Sequence, residues 1–541
     1  MSIDTALPEI DPSAPRRQVE AAPTWAGPIA GLVSAALAVC VGLLVAAMID
    51  VDSPLDAVGS EFIDHTPKWL KTLAIDIFGT NDKLALRVGM VATIALLALG
   101  LGALARRRPV LGVVALAGFG VFGAFVAANR PGQTAKAAVP ALVGALVGAA
   151  LIWWLERSVS ADDPASSVPR ASRAPSGWDR RRFMIVGGSA AGAAVVAAGA
   201  ARRLENQRIE RIRDAAPDVL PPVVDAPAVG GQISSAAPEI PSGATVDPAT
   251  PFITPNDDFY LIDTALSVPR IRLDRWTMSV GGMVRTPLTL SYDDLLARPQ
   301  VERVITIACV SNEVGGDLIG TAVWQGVLLS DLLDEAGVSA DAEQVFGTSV
   351  DGWTCGFPVE VARDGRDALI AVGMNGEPLP LRHGFPARVI VPGLYGYVSA
   401  TKWLSSLELT RWDDAVGYWV PRGWARDAPI KTQSRIDVPR RGEAVAAGRT
   451  PIAGVAWAQH RGIAKVEVRV DDGAWAEARL GTDVTVDAWR QWVYEWDATP
   501  GEHTIQVRAT DNTGATQTDE VSRPDPDGAT GWHTRTIRVS G

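Results

Sequence analysis

The chain of 541 residues contains only three cysteines and five histidines. Three cysteines cannot build a disulfide framework, although Cys309 and Cys355 could pair with each other in an oxidising compartment. No Cys-x-x-Cys-His segment occurs, which excludes a covalently attached c-type haem. The apolar stretches contain no histidine and the chain offers no iron–sulfur ligand set, so neither haem nor an iron–sulfur cluster is expected.

Two further absences concern binding partners. Basic residues form no block interleaved with aromatic residues, and the net charge is -11, so nucleic-acid binding is not expected. Neither a GxGxxG nor a Walker pattern stands at a strand-to-helix turn, so a nucleotide cofactor is not indicated. The length is too great for one core and predicts roughly three or more domains.

Long apolar runs dominate the first part of the chain, residues 1–157. Each is about 20 residues long, the length that spans the hydrocarbon core of a bilayer. These runs predict four transmembrane helices at about 24–49, 84–105, 110–128 and 137–155. Basic residues in short loops mark the cytoplasmic side. Arg16 and Arg17 before the first helix, residues 106–108 between the second and third, and Arg157 after the fourth place both ends in the cytoplasm.

A fifth apolar run follows a Pro- and Ser-rich linker at 158–179. It covers residues 180–201 and begins Arg180-Arg181-Arg182-Phe183, which resembles a twin-arginine export signal. An ordinary fifth transmembrane helix is the alternative, and cleavage after it stays open. Twin-arginine export carries folded proteins, so the resemblance implies a cofactor inserted before crossing. The prediction is a multi-pass protein of the cytoplasmic membrane whose catalytic domain, after a linker at 202–250, lies on the extracytoplasmic side.

Residues 251–440 mix short strands with short helices, which predicts an α+β domain. Ser291 and Ser330 are each predicted to cap a helix, the second of which ends at Gly337. Cys309 follows a β-branched run at 304–307 and precedes a polar, Gly-rich loop. A thiol at a strand end can hold a metal or act chemically, or it can be a small buried apolar group.

Several segments of this domain resemble the molybdopterin domain of the sulfite oxidase family. They are residues 254–260, Cys309, the segment 382–393 (RHGFPARVIVPG), the loop 395–404 ending in Lys-Trp-Leu, and the domain crossing at 428–434. The resemblance implies molybdopterin as the cofactor and Cys309 as the catalytic metal ligand, because a thiolate suits a soft metal. It also implies cofactor-binding roles for Asp257, Asp258, Tyr260, His383, Arg388, Thr401 and Lys402. Cys355 matches no ligand position and is predicted to be structural.

The residues that follow Cys309 depart from the sulfite-oxidising pattern. Such members carry Asn and two arginines there, whereas this chain keeps Asn312 but has Glu313 and Val314. Residues 261–263 (Leu-Ile-Asp) also replace a stretch that carries Arg and His. Fewer cations and an added carboxylate disfavour a dianion, so a small neutral substrate such as an organic S- or N-oxide is expected. Sulfite oxidation proper and a non-catalytic membrane-tethered binding or assembly module are the alternatives.

Four aromatic residues are candidates for the substrate pocket, although they could equally be packing residues: Tyr395, Tyr397, Tyr418 and Trp419. The resemblance implies oxygen-atom transfer with electrons exchanged singly. The electron partner is expected to be separate, either a soluble carrier or a quinone.

Residues 441–541 read as all-β. Residues 464–470 alternate apolar and polar side chains, and Asp471-Asp472-Gly473 is a hairpin signal. Further strands at 489–496 and 503–511 predict an immunoglobulin-like sandwich. It resembles the family's dimerisation domain, which implies a possible homodimer. The whole fold is therefore predicted as a transmembrane helical bundle, an α+β molybdopterin domain and a β-sandwich.

Overall fold

The structure is a computed structural model that describes residues 22–67, 70, 73, 77–78, 82–131, 133–159, 180–223 and 239–541. Arg16 and Arg17, the linker from residue 160 to 179, and residues 224–238 of the second predicted linker lie outside the described residues. The chain divides into two compact units, Met1–Gln207 and Arg208–Gly541.

The N-terminal unit is helical. Its helices are α1 (Ala26–Ile49), α2 (Pro54–His65), α3 (Asp82–Arg107), α4 (Pro109–Asn129), α5 (Val139–Val159) and α6 (Arg180–Ala215), the last of which continues past Gln207. Five of them, all except α2, contain stretches long and apolar enough to cross a membrane. Small residues allow close helix packing, and a Cβ on Gly31 of α1 would overlap the carbonyl of Ala98 on α3.

Helix α2 was not predicted, because the sequence suggested only a loop between the first two spans. Ser53 caps it by accepting a hydrogen bond from the Asp56 N–H at 3.0 Å, and Pro54 occupies its first turn. Asp56 also pairs with Arg87 of α3 at 3.4 Å. The helix is short and only moderately apolar, so no run of hydrophobic residues marked it.

The first domain of the second unit contains two sheets, as predicted for an α+β domain. One has the order β2-β1-β10-β5-β6, in which β1 and β10 are parallel, and the other has the order β3-β4-β7-β8 with β9 paired to β7. The strands are β1 (Thr277–Gly282), β2 (Leu288–Ser291), β3 (Val301–Ala308), β4 (Ile319–Leu328), β5 (Gln344–Ser349), β6 (Thr354–Pro358), β7 (Leu369–Met374), β8 (Glu377–Pro378), β9 (Arg388–Ile390) and β10 (Leu404–Thr410).

Three short helices accompany these sheets: α7 (Tyr292–Leu296), α8 (Leu329–Ala336) and α9 (Gly396–Ser399). Ser291 caps α7, as predicted, and Asp294 completes a capping box with it. The prediction for α8 was wrong at its start. The N-cap is Leu328 and Ser330 lies inside the first turn without capping, because β4 runs directly into the helix. Gly337 ends α8 with a φ of 69°.

The C-terminal domain is a sandwich of two sheets, which confirms the predicted all-β architecture. The orders are β11-β13-β17-β16 and β12-β19-β18-β14-β15. The strands are β11 (Gln433–Val438), β12 (Val445–Ala446), β13 (Gly448–Trp457), β14 (Ile463–Val470), β15 (Ala476–Glu477), β16 (Arg479–Leu480), β17 (Arg490–Ala498), β18 (Gly501–Asp511) and β19 (His533–Ser540). The alternating side chains Val466 and Val468 of β14 and Ile505 and Val507 of β18 point into its core.

Candidate functional site

Cys309 lies one residue beyond the end of β3, and its side chain is 7% exposed. Its N–H donates to the carbonyl of Leu318 at 2.9 Å, and its carbonyl accepts from the Asn312 N–H at 3.1 Å. The Ser311 N–H points at the sulfur at 3.4 Å. Burial raises the pKa of the Cys309 thiol, and the Ser311 contact opposes that rise. The thiol is therefore held in a defined position at the mouth of a loop.

The loop after Cys309 is closed by Asn312. Its side-chain oxygen accepts the N–H of Leu318 at 2.9 Å, and its side chain is 4% exposed. The Gly316 N–H donates to the carbonyl of Glu313 at 2.9 Å, which tightens the turn. Asn312 thus has a structural task, whereas the Glu313 side chain is exposed.

Two tyrosines are coupled electrostatically to the Cys309 thiol. Burial raises the pKa of both Tyr260 and Tyr395, the latter to about 12, and the negative charge of Cys309 raises each further. The Tyr260 ring stacks on Phe259 with 5.3 Å between ring centroids. Both phenols keep their protons at neutral pH.

The other aromatic candidates point elsewhere. The Tyr397 hydroxyl donates to the carbonyl of Ala425 at 2.6 Å. Tyr418 packs under the guanidinium of Arg422 at 3.6 Å and against the ring of Trp419. Of the four residues named from the sequence, Tyr395 is the one coupled electrostatically to Cys309, but its hydroxyl accepts the Lys431 N–H at 3.5 Å and lies against Gly528.

Arg388 is a buried cation, 5% exposed, at the start of β9. Its Nη1 donates to the carbonyl of His383 at 3.0 Å, and its guanidinium carbon lies 5.1 Å from the ring centroid of Trp324. Its Nε is buried without a hydrogen-bond partner, and no carboxylate among the described residues forms an ion pair with it. Burial lowers its pKa to about 10, while Tyr260 acts in the opposite direction. An uncompensated buried guanidinium is a place for an anionic group.

His383 links two of the segments that resemble the molybdopterin domain. Its Nε2–H donates to the carbonyl of Asn256 at 3.0 Å, because a carbonyl can only accept. Burial lowers its pKa to about 4, and the charge of Arg388 lowers it further. The ring is therefore neutral at pH 7 with its proton already engaged, so His383 positions the first segment rather than offering a free cation.

Lys402 and Thr401 are occupied by neighbours. The Lys402 ammonium pairs with Asp263 at 2.6 Å and donates to the carbonyl of Arg382 at 3.2 Å. The Thr401 hydroxyl is fully buried and contacts the Cys355 sulfur at 3.1 Å. Of these two, only Lys402 presents a cation at the edge of the site.

The predicted carboxylates Asp257 and Asp258 lie in an exposed turn. The Asp258 N–H donates to the carbonyl of Pro255 at 3.0 Å, which shapes that turn. The structure therefore brings Cys309, Tyr260 and Arg388 together and leaves these two carboxylates at the surface.

Molybdopterin fits the groups that the site presents. No cluster of three or more His, Cys, Asp or Glu side chains that could hold a metal occurs among the described residues. A single thiolate suits a metal whose other sulfur ligands come from its cofactor. The orphaned Nε of Arg388 suits the negative charge of that cofactor.

Sequence reasoning missed the role of Asp263 as the partner of Lys402, although the departure at that position was visible. It also missed Thr306 of β3, which forms hydrogen bonds with the C-terminal domain. The Trp489 N–H donates to its hydroxyl at 2.7 Å, and Gln459 donates to its carbonyl at 3.1 Å. No local pattern indicated these contacts, because they join residues more than 150 positions apart.

Comparisons with known proteins match two parts of the chain to described families. Residues 265–419 match the family described as "Oxidoreductase molybdopterin binding domain", and residues 433–507 match "Bacterial Ig domain". Mitochondrial sulfite oxidase of Homo sapiens is 31% identical over 320 residues, which cover 50% of this chain and 58% of the human protein. The chain thus spans little more than half the length of that relative.

Two further matches cover larger shares of the other protein. The oxidoreductase YuiH of Bacillus subtilis is 36% identical over 152 residues, 28% of this chain and 73% of YuiH. The structure of the sulfane dehydrogenase SoxCD from Paracoccus pantotrophus matches 56% of this chain and 90% of that chain, with 24% identity and a TM-score of 0.48.

Proposed function

The chain belongs to the sulfite oxidase family of oxidoreductases with a molybdopterin-binding domain, and we propose that it transfers an oxygen atom to or from a small neutral substrate. The observation that carries the proposal is the grouping of the Cys309 thiol, the Tyr260 phenol and the uncompensated guanidinium of Arg388. A metal ligand, a proton-bearing group and a buried cation are the parts that such a site needs.

The residues of the chain have distinct tasks in this proposal. The bound molybdenum cofactor supplies the oxygen-atom transfer and the electron exchange. The Cys309 sulfur holds the metal, and the Ser311 N–H that points at it orients the ligand. Arg388 offsets negative charge on the cofactor. Tyr260, whose raised pKa keeps it protonated, donates a hydrogen bond to the oxygen of a substrate.

The charge around the site favours a neutral substrate. Glu313 and Val314 stand where sulfite-oxidising members carry arginines, and Asp263 neutralises Lys402 at 2.6 Å. A dianion would meet fewer free cations here than such a substrate requires. Organic S-oxides and N-oxides present an acceptor oxygen without a net charge, which matches the protonated phenol of Tyr260.

A second candidate is sulfite oxidation itself. The names of the curated relatives favour it, and Arg388 could attract an anion as well as the cofactor. The charges of Glu313 and Asp263 favour the neutral substrate, so we place sulfite second.

The location proposal rests on the N-terminal unit. Five apolar helices support a membrane anchor, and Arg180, Arg181 and Phe183 at the start of α6 support export of a folded domain to the extracytoplasmic face. Electrons would then pass to or from a separate soluble carrier or a quinone, and the C-terminal domain would support a homodimer.

Turnover tests the substrate proposal. Full-length protein, purified in detergent from cells that make molybdopterin, is assayed with neutral S- and N-oxides under a reduced dye and with sulfite under an oxidised dye. We expect kcat/KM to favour a neutral oxide by at least about 100-fold, roughly 2.7 kcal/mol in transition-state binding. Rapid sulfite turnover with ordinary affinity would contradict the proposal of a neutral substrate. Well-folded protein without molybdenum would support the alternative of a non-catalytic binding module.

A separate experiment tests on which side of the membrane the second unit lies. Replacing Arg180 and Arg181 by lysine should leave the second unit inside, protected from protease added to intact spheroplasts, whereas the unchanged chain should be digested. Equal protection of the two proteins contradicts the export proposal.

A further inference from the structure

The C-terminal domain contacts the chain three residues before Cys309. Thr306 of β3 is fully buried, and its N–H donates to the carbonyl of Asp487 at 2.9 Å. Its hydroxyl accepts the N–H of Trp489 at 2.7 Å, and its carbonyl accepts the side chain of Gln459 at 3.1 Å. All three partners belong to the sandwich, so that domain fixes the strand that delivers Cys309.

The same domain contacts the loop after Cys309 through His533, the first residue of β19. Its Nδ1 accepts the N–H of Ile436 at 2.9 Å, which sets the orientation of the ring. The ring lies where a Cβ on Gly315 would be, and Gly315 has a φ of +78°. Both the space and the backbone conformation therefore require glycine at this point of the loop. Burial lowers the pKa of His533 to about 4, so the ring is neutral at pH 7.

Arg435 of β11 provides the adjacent contact. Its Nη1 donates to the carbonyl of Gly316 at 3.0 Å, and Asp437 holds its Nε at 2.6 Å. A cavity of about 380 Å³ opens beside this loop, lined in part by Gly315, Asp317 and Arg435. The loop therefore borders a cavity on one side, and His533 and Arg435 contact it from the C-terminal domain.

We propose that His533 is a positioning residue for the Cys309 loop, with Arg435 as its neighbour in the same task. The C-terminal sandwich then forms part of the scaffold of the metal site, in addition to any role in dimerisation. The importance of this scaffold for a metal rests on the proposed role of Cys309. The effect of His533 on the order of the loop does not depend on that role.

Hydrogen–deuterium exchange of the full-length chain tests the proposal. A peptide covering residues 309–318 reports the amides of Cys309, Asn312, Gly316 and Leu318, whose hydrogen bonds build the loop. In His533→Ala we expect these amides to exchange at least about tenfold faster, which is 1.4 kcal/mol of local opening. A peptide across β5 and β6, residues 344–358, should not change.

Two partial substitutions separate the contact of the ring with Gly315 from the hydrogen bond that Nδ1 accepts from the Ile436 N–H. His533→Asn keeps an acceptor for the Ile436 N–H but removes the ring from Gly315, so the loop should still exchange faster. His533→Phe keeps the ring, so loop exchange should stay closer to that of the unchanged protein. The matched control is His503→Ala, which removes a histidine of the same domain that pairs with Asp471 instead.

Unchanged exchange of residues 309–318 in both His533→Ala and His533→Asn overturns the proposal. An equal increase in residues 344–358 also overturns it, because His533 would then act on the stability of the whole domain. Molybdenum content is measured on the same samples, and we expect His533→Ala to retain less than His503→Ala. A chain that never holds molybdenum would contradict the proposed function, whereas the exchange result would still decide the role of His533.

Discussion

Two buried cysteines in one domain have different surroundings. Cys309 is 7% exposed and lies at the end of β3, where its sulfur meets the Ser311 N–H and is coupled electrostatically to two tyrosines. Cys355 is 2% exposed inside β6, with its sulfur 3.1 Å from the Thr401 hydroxyl, and burial raises its pKa to about 12. All three cysteines of the chain are free thiols. The thiol of Cys355 is thus engaged by a side chain inside a strand, whereas the thiol of Cys309 meets a backbone N–H at the start of a loop.

The largest expected effect is the difference in molybdenum content between variants of these two cysteines. We expect full-length protein to carry about one molybdenum per chain, Cys309→Ala to carry none, and Cys355→Ala to keep it, because a single thiolate holds the metal. Elemental analysis of purified protein measures the ratio. If Cys309→Ala retained its molybdenum, or if Cys355→Ala lost it while folded, the assignment of the ligand would be wrong.

A second test compares two cations of the site. Arg388 is buried without a carboxylate, whereas Lys402 is paired with Asp263. Arg388→Gln should weaken cofactor retention by about 1.5–3 kcal/mol, the value of hydrogen bonds to a charged group. Lys402→Met should weaken it less, because Asp263 already offsets its charge. The half-time of pterin release during dialysis measures both, and the reverse order would contradict the comparison.

The pairing of Lys402 also predicts a change in specificity. Asp263→Asn should remove the carboxylate that offsets the charge of the ammonium and lower KM for sulfite by about tenfold, roughly 1.4 kcal/mol. The double substitution Asp263→Asn with Lys402→Met is the control and should return KM toward its original value. A drop in KM that persists in the double variant would show that the ammonium is not its cause.

The smallest effect concerns the interior thiol. Thr401→Val removes the hydroxyl that contacts Cys355, and we expect a loss of about 0.5–1.5 kcal/mol in the free energy of unfolding. Molybdenum content should not change, because the hydroxyl of Thr401 faces Cys355. A loss of metal in this variant, with stability preserved, would instead place the hydroxyl at the cofactor.

Much of the architecture could be predicted from local patterns. Apolar runs of about 20 residues predicted the helices α1 and α3 to α6, and period-two alternation predicted β14 and β18. A long apolar run indicates a helix that is apolar on all sides, and period-two alternation indicates a strand with one buried face. Helix α2 and the start of α8 were not predicted correctly, because a short helix and a direct strand-to-helix passage leave neither signal clearly.

The sequence by itself determined that Cys309 ends a strand, that a glycine-rich loop follows it and that Arg388 and Lys402 lie in family-like segments, because these are properties of neighbouring residues. The tertiary structure decided how each residue is used. It paired Lys402 with Asp263 and turned Thr401 toward Cys355, and it placed His533 against Gly315. These contacts join positions between about 45 and 220 residues apart, so only the packing of the folded chain could select them.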